Sequence, residues 1–497
     1  MAFSLFSIPD LAAYLAAGQL LSEPLGAAII VHRAFGPLLT ETRPGPGHAL
    51  DWRCGPLAAV ISPDLPAARA WTQALSLRLL RDAPGLTMAA VHLAPSTPDD
   101  PAAAAAALRQ SRTAAAHHWP HAGFDGAGVV QHCPLTGHPA SVWDNRRRRW
   151  LSEETAAKRA AAVAIPRSWL PLDPDRRGPL AESLADFCQS PYCQGMAAIV
   201  HVETGSSDRL RAAINAAAPP EHIRALAAAI ERASSAAIAA ALAPLTHTVH
   251  LSGGNAICPV LPLAVLGGTI SFACPDGIAL DFAAALIQEW HKAFREQTDS
   301  AADANASAGI AFVSADASAG RALAIAAALA ARACRQLTAY GLDGRASAID
   351  FELDSDGVLD PRAAEQPPPS ADDGSQLSAK PYLIGAPSGA RPQVREWEWF
   401  RGALVNNFMH IGGEETASSE LQAFANAIAR GREATSEFLR QQIGSGNSAI
   451  SAFHTAAGGG PLFYQTKTRQ YVTPIPDALG AARRIADNPW RQTPGGR

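Results

Sequence analysis

The stretch CGPLAAVISPDLPAARAWTQAL, residues 54–75, and the stretch GGTISFACPDGIALDFAAALI, residues 267–287, are built on one plan. With Pro63 laid on Pro275, Gly55 falls on Gly267 and Asp64 on Asp276. Each runs from a glycine turn through an apolar strand and a Pro-Asp helix start into an amphipathic helix. A further apolar strand follows each, LTMAAVHLA in the first and SAGIAFVSA in the second. This is half of a βαββαβ, ferredoxin-like unit, and its double occurrence predicts an α+β fold with two such units. Glycines after an apolar strand usually bring a backbone close to another group. The pair Gly267–Gly268 therefore raises the question of what approaches it, because Thr269 and Ile270 follow where a catalytic turn would carry acids.

Composition sets the remaining frame. The 497 residues, 48% of them hydrophobic, suffice for several buried cores. A formal net charge of −4 argues against a protein that coats nucleic acid or a membrane surface through its overall charge. Seven cysteines between Cys54 and Cys334 form no disulfide framework and fit a reducing compartment. The opening MAFSLFSIPDLAAYL lacks a basic region and reads as strand, turn and helix start, so no signal peptide is expected. Apolar runs such as 322–334, interrupted by Arg332, fall short of a membrane span. A cytoplasmic protein with no membrane partner is the expectation.

Five segments separate by pattern. Residues 1–125 alternate strands and helices, a connector occupies 126–180, and 181–357 alternate again. The Pro, Ser and Asp content of 358–380 predicts a flexible linker. Residues 381–497 are predicted helical, with the best periodicity in one helix over 419–442.

Within 181–357 the order of segments is AAIVHVETGSSDRL, LAVLGGTISFACPDGIALDFAAALI, SAGIAFVSA, LAIAAALAARACRQ and ASAIDFEL. That order resembles the second palm domain of the large subunit of type III CRISPR effector complexes, the polymerase/cyclase family related to GGDEF cyclases. The N-terminal segment is similar to the first, degenerate palm of that family, the connector to its four-cysteine zinc element, and 419–442 to its C-terminal helical part. Such palms use two Mg²⁺ ions to activate a hydroxyl and stabilise a leaving pyrophosphate, so carboxylates must converge from neighbouring strands. The resemblance places the family's GGDD on Gly267, Gly268, Thr269 and Ile270. It places the acid of the Ala-Asp-Gly-Asn-Gly turn on Glu203, and the lysine of an Ala-Lys pair on Cys334, with Arg335 beside it. A single carboxylate, Glu203, is a poor ligand set for two Mg²⁺ ions. The implied protein is therefore a catalytically inactive scaffold that binds protein subunits of a CRISPR-like antiviral defence assembly and RNA. The alternatives are a sensor of ATP or a cyclic oligonucleotide, with ATP and Mg²⁺ as ligands if the vestigial site still binds, and an enzyme with displaced ligands such as Asp276 or Asp350. A second glycine pair, LSGGNAI at 251–257, also lacks an acid and is not followed by the Pro-Asp turn.

The zinc element of the family is a pair of C-x-x-C motifs. HCPLTGHPA supplies Cys133 at one ligand position and Thr136 at the next, and RRRRWLSEETAAKR supplies no cysteine. A replacement site would draw on His117, His118, His121, His132, Cys133 and His138, of which His121, Cys133 and His138 are the leading candidates. Arg146, Arg147, Arg148 and Arg149, flanked by Trp143 and Trp150, predict a hairpin turn able to clamp RNA phosphates and stack on bases. No His-Asp dipeptide, phosphate-binding P-loop or G-x-S-x-G elbow occurs. REWEWF, residues 395–400, reads as a packing anchor.

Overall fold

The structure, a computed structural model, describes residues 1–42, 47–94, 105–110, 131–172, 179–190, 193, 195–245, 249–250, 256–298, 305–342, 346–352, 369–385, 395–411, 415–445, 449–456, 462–466 and 469–483. His117, His118, His121 and the glycine pair of LSGGNAI lie outside them.

Apolar residues alternating with turn signals give the first unit: β1 (Ala2–Ser7), α1 (Leu11–Ala16), α2 (Ser22–Arg33), α3 (Leu39–Glu41), β2 (Ala49–Cys54), β3 (Leu57–Ser62), α4 (Leu65–Asp82) and β4 (Ala89–Leu93). Its sheet has the order β2-β3-β1-β4, antiparallel throughout. The Pro-Asp signal works as a helix start because the Asp64 carboxylate accepts from the Ala67 amide at 2.7 Å. Residues 105–110 form α5. In the connector, β5 (Val142–Asp144) and β6 (Arg149–Leu151) pair as the hairpin the arginine run predicts, and α6 (Glu153–Ala161) and α7 (Leu184–Cys188) follow.

The second unit comprises β7 (Ala197–Thr204), α8 (Ser206–Asn215), α9 (Pro220–Leu242), the short ribbon β8 (Val249–His250) and β9 (Ala256–Ile257), β10 (Leu261–Leu266), β11 (Thr269–Pro275), α10 (Asp276–Thr298) and β12 (Ala306–Val313). Its sheet runs β10-β11-β7-β12, the same order as the first. It then continues through α11 (Ala319–Ala339) to β13 (Ser347–Glu352), parallel to β12, and ends on β14 (Tyr382–Ile384), antiparallel to β13. A helical crossover is what a parallel neighbour requires.

The two units pack reciprocally, α2 against β10 and α9 against β2. An ion pair from Arg224 on α9 to Asp51 on β2, 2.5 Å long, fastens one of these contacts. Among the described residues α9 is also the helix long and apolar enough to cross a membrane. It lies outside the apolar stretch 322–334 that the sequence pattern offers as an example. Ile223, Ile230, Ile238 and Leu242 of α9 are buried in the core.

The C-terminal part departs from expectation in two places. Residues 369–380 were predicted to end a flexible linker, yet Ala371, Ser375, Ser378 and Ala379 are buried. The buried Asp477 accepts from Ser378 Oγ, the Ala379 amide and Tyr382 Oη, holding this strap and β14 in place. The helix expected over 419–442 is two helices. After α12 (Trp397–Trp399) and α13 (Asn406–Ile411) come α14 (Glu415–Ala429) and α15 (Arg432–Ser445), then α16 (Ala449–Ala456), β15 (Tyr464–Gln465), β16 (Tyr471–Val472) and α17 (Ile475–Ala482). Gly431, at φ +106°, ends α14, and Asp373 receives the Arg432 amide at 2.9 Å to start α15. REWEWF packs as read: Phe400 stacks on Tyr382 with centroids 3.7 Å apart.

Candidate functional site

The tips of the two glycine hairpins touch. Gly55 and Gly267 adopt φ of +55° and +61°, which only glycine takes at little cost. A Cβ on Gly55 would lie 2.5 Å from Leu266 O, and one on Gly267 would lie 2.9 Å from the Gly55 amide nitrogen. What approaches Gly267 is thus the equivalent turn of the other unit. Helix α9 serves both tips from one face: Glu231 Oε1 accepts from the Gly55 amide at 2.9 Å, and Ser234 Oγ donates to Gly267 O at 2.8 Å. Burial pushes the Glu231 carboxyl above its ordinary range, opposed by the Gly55 amide and Arg53. Burial, reinforced by Glu231, likewise raises the Cys54 thiol beside it. Around Gly268 stand three hydroxyls, Thr204, Ser206 and Ser207, within 2.8 Å of where a Cβ would sit.

A cleft of about 850 Å³ opens at this junction. It gathers Glu203, Thr269, Cys334 and Arg335, the predicted positions scattered over two strands and a helix. Strand register explains the floor. On β7, Glu203 lies opposite Thr269 on β11 and Ser307 on β12, and His201 lies opposite Ser271 and Gly309. Thr269 Oγ1 donates to Glu203 at 3.0 Å, and His201 bridges Glu203 (3.1 Å) and Ser271 Oγ (2.8 Å). Ile270 points to the opposite face and is fully buried, so only one of the two family acid positions faces the cleft.

One wall is polar. The first turn of α8 contributes Gly205, Ser207 and Asp208, with Arg211 paired to Asp208 at 3.2 Å. The other wall is apolar, from Ile8, Leu11 and Leu15 of the first unit and Ala327 and Ala331 of α11. The sequence reading missed His201, Ser207, Asp208, Arg211 and Asn305. The period of two along β7 was the available signal for His201, two residues before Glu203.

The site does not fit two Mg²⁺ ions. Glu203 is the one carboxylate on the strand floor, already bonded to a hydroxyl and an imidazole. The two displaced ligands named for the enzyme alternative do not reach the site. Asp276 follows Pro275, at the end of β11 remote from Thr269, and Asp350 is held by Arg332 through bonds of 2.6 and 2.8 Å. Neither lines the cleft.

The arginine hairpin is partly committed. Arg146 pairs with Glu182 at 2.9 Å and Arg149 donates to Gln19 at 3.0 Å, while Arg147 and Arg148 are exposed. Trp143 and Trp150 meet edge to face with centroids 5.4 Å apart, both exposed. The candidate metal ligands do not converge: His138 Nδ1 contacts Glu154 at 3.0 Å and His132 Nδ1 contacts Gly137 O at 2.8 Å. Among the described residues no group of three or more His, Cys, Asp or Glu could hold a metal.

No protein-family model matches the chain, and no curated protein matches its sequence. Solved structures do match. Csm1 of T. onnurineus aligns with 97% of this chain and 70% of its own at 11% identity, TM-score 0.51. A Csm1–Csm4 cassette in complex with cA3 aligns with 98% of this chain and 70% of the matched chain at 11% identity, TM-score 0.52. A Csm1–Csm4 cassette in complex with pppApApA aligns over 67% of this chain at 12% identity, TM-score 0.43, and there the chain spans only 52% of the length it matches.

Proposed function

We propose that this chain, which has the fold of Csm1, the large subunit of type III CRISPR assemblies, is a catalytically silent counterpart of that subunit. Its two βαββαβ units act as paired palm-like domains that serve as a scaffold for partner proteins. The β5–β6 hairpin offers Arg147 and Arg148 to RNA phosphates. The observation that carries the reading is the cleft floor, where Glu203 stands alone among carboxylates and is bonded to Thr269 and His201. A fold without the metal ligands of its chemistry supports binding better than turnover. The test is purification of the tagged chain from its native host, followed by identification of co-purifying protein and RNA. Stoichiometric effector subunits together with a short RNA are expected, and a chain that purifies alone contradicts the scaffold.

The amphipathic cleft favours a second reading, a nucleotide sensor. Its volume of about 850 Å³ suits a small ligand, with Arg211 and Arg335 on its rim and alanines for a base to rest on. A rise in melting temperature with ATP or a cyclic oligoadenylate, independent of Mg²⁺, supports it, and no shift at millimolar ligand removes it.

A further inference from the structure

Two pairs of side chains, each spaced three residues apart, converge in the connector. Cys133 and Thr136 come from a tight turn, closed by the Cys133 amide on His138 O at 2.8 Å and the Gly137 amide on Cys133 O at 2.9 Å. Ser152 and Thr155 come from the start of α6, where Ser152 is the N-cap and its Oγ accepts from the Thr155 amide at 3.3 Å. The four side chains form one hydrogen-bonded chain: Thr136 Oγ1 to Ser152 Oγ at 3.1 Å, Ser152 Oγ to Thr155 Oγ1 at 3.1 Å, and Thr155 Oγ1 to Cys133 Sγ at 3.7 Å. Burial raises the Cys133 thiol pKa, but hydrogen bonding from the backbone of Ser152, Leu135 and Thr136 and from Thr155 outweighs it and lowers the thiol to about 7. Cys133, Ser152 and Thr155 are buried.

Turn and helix start thus present four side chains as two C-x-x-C pairs present four thiolates to zinc. The donors are wrong for the ion. Three of the four are neutral hydroxyls, which do not supply the deprotonated ligands that a structural zinc site requires. The spacing between the hydroxyls is also too short, since ligands of a tetrahedral zinc lie roughly 3.3 to 3.8 Å apart given bonds of about 2.0 to 2.3 Å. Hydroxyls 3.1 Å apart bond to each other and leave no hole between them.

We propose that this cluster is a metal-free replacement of a zinc knuckle, in which Cys133, Thr136, Ser152 and Thr155 hold the turn to α6 by hydrogen bonds alone. The consequence reaches the cleft. From α6, the fully buried Lys158 bonds Glu154 at 2.6 Å and Tyr14 O at 2.8 Å, and Arg159 bonds Glu23 at 2.7 Å. Tyr14 belongs to α1, the helix whose Leu11 and Leu15 face the cleft. The knuckle therefore fixes α6, and α6 fixes a cleft wall, with no dependence on metal supply. This inference holds whether the cleft is silent or binds a nucleotide.

The test is to convert the cluster back. The variant Thr136→Cys, Ser152→Cys, Thr155→Cys is titrated with Co²⁺ in parallel with the unaltered protein. One equivalent of cobalt with the intense visible bands of a tetrahedral thiolate site is expected in the variant and none in the unaltered protein. Stoichiometric zinc in the purified unaltered protein, or a folded triple variant that takes no cobalt, overturns the proposal. A variant too unstable to purify leaves the decision to Cys133→Ser. That change removes the thiol and leaves the links of Thr136 to Ser152 and of Ser152 to Thr155 untouched, so a melting temperature insensitive to chelator is expected. Chelator-induced destabilisation of the unaltered protein that is absent in Cys133→Ser would mark a real metal site and overturn the proposal.

Discussion

The two βαββαβ units share strand order, a glycine hairpin and a Pro-Asp helix start, yet differ at the positions that could do chemistry. In the first unit Ser7 lies opposite Leu57, and Leu5 opposite Ala59. In the second, Glu203 lies opposite Thr269, and His201 opposite Ser271. The same two-residue rhythm thus places the apolar Leu57 at the cleft from one unit and the hydrogen-bonding His201, Glu203 and Thr269 from the other. What the units share is packing: Gly55 and Gly267 are glycines because the hairpin tips meet. What they do not share is the site. Glycines at such a turn are therefore no evidence for a triphosphate, and only the side chains on the adjoining strands are.

The largest expected effect breaks the shared feature. Gly55→Val puts a branched side chain at φ +55° and drives its Cβ into Leu266 O, so a loss of about 4 kcal/mol in urea unfolding is expected. Gly268→Ala meets hydroxyls that can rotate away, and a loss of about 1 kcal/mol is expected there. Equal losses at the two positions would show that the tips do not touch.

Next comes Glu231, which holds the first tip from the second unit. Burial raises its folded-state pKa above the unfolded value, so the folded state binds more protons in that window. Its contribution to stability is fully present below the unfolded pKa and lost as pH rises through the folded one. Glu231→Gln removes that slope and changes stability at neutral pH by about 1 kcal/mol, since the amide oxygen still accepts from Gly55. A pH profile of melting temperature identical in both proteins would contradict this.

The smallest effect sharpens the difference between the units. Thr269→Asp sets a second carboxylate directly opposite Glu203 and costs roughly 0.5 to 1 kcal/mol by like-charge repulsion. Mn²⁺ is expected to restore the melting temperature of Thr269→Asp by bridging the two acids. Leu57→Asp, at the equivalent position of the first unit, has Ser7 opposite and is expected to show no recovery with Mn²⁺. Recovery in both, or in neither, removes the asymmetry.

Much of this arrangement was legible in the sequence because it follows from local pattern. The strands, the helix over 65–82 and the duplicated Pro-Asp start depend on periodicity and capping, which short windows carry. Glu203 and Thr269 are brought together on paper only by the family resemblance, because the two-residue hairpin at Gly267–Gly268 sets the register of β11 with β10 and not with β7. The rest depends on contacts distant in sequence. Gly267 meeting Gly55, Ser152 and Thr155 facing Cys133, and Asp477 gripping Ser378 join segments far apart in the chain. The split of 419–442 at Gly431 was visible as a glycine, but an alanine-rich helix tolerates one glycine, and Asp373 is what turns it into a break.

The claim at the centre of this account is that the cleft does not turn over nucleotides. The direct measurement is incubation of the purified chain with labelled ATP and either Mg²⁺ or Mn²⁺, with products separated by chromatography. The account predicts ATP unchanged beyond a buffer control, and the same result for Glu203→Ala. Linear or cyclic oligoadenylate that forms with the unaltered chain and disappears in Glu203→Ala would contradict it.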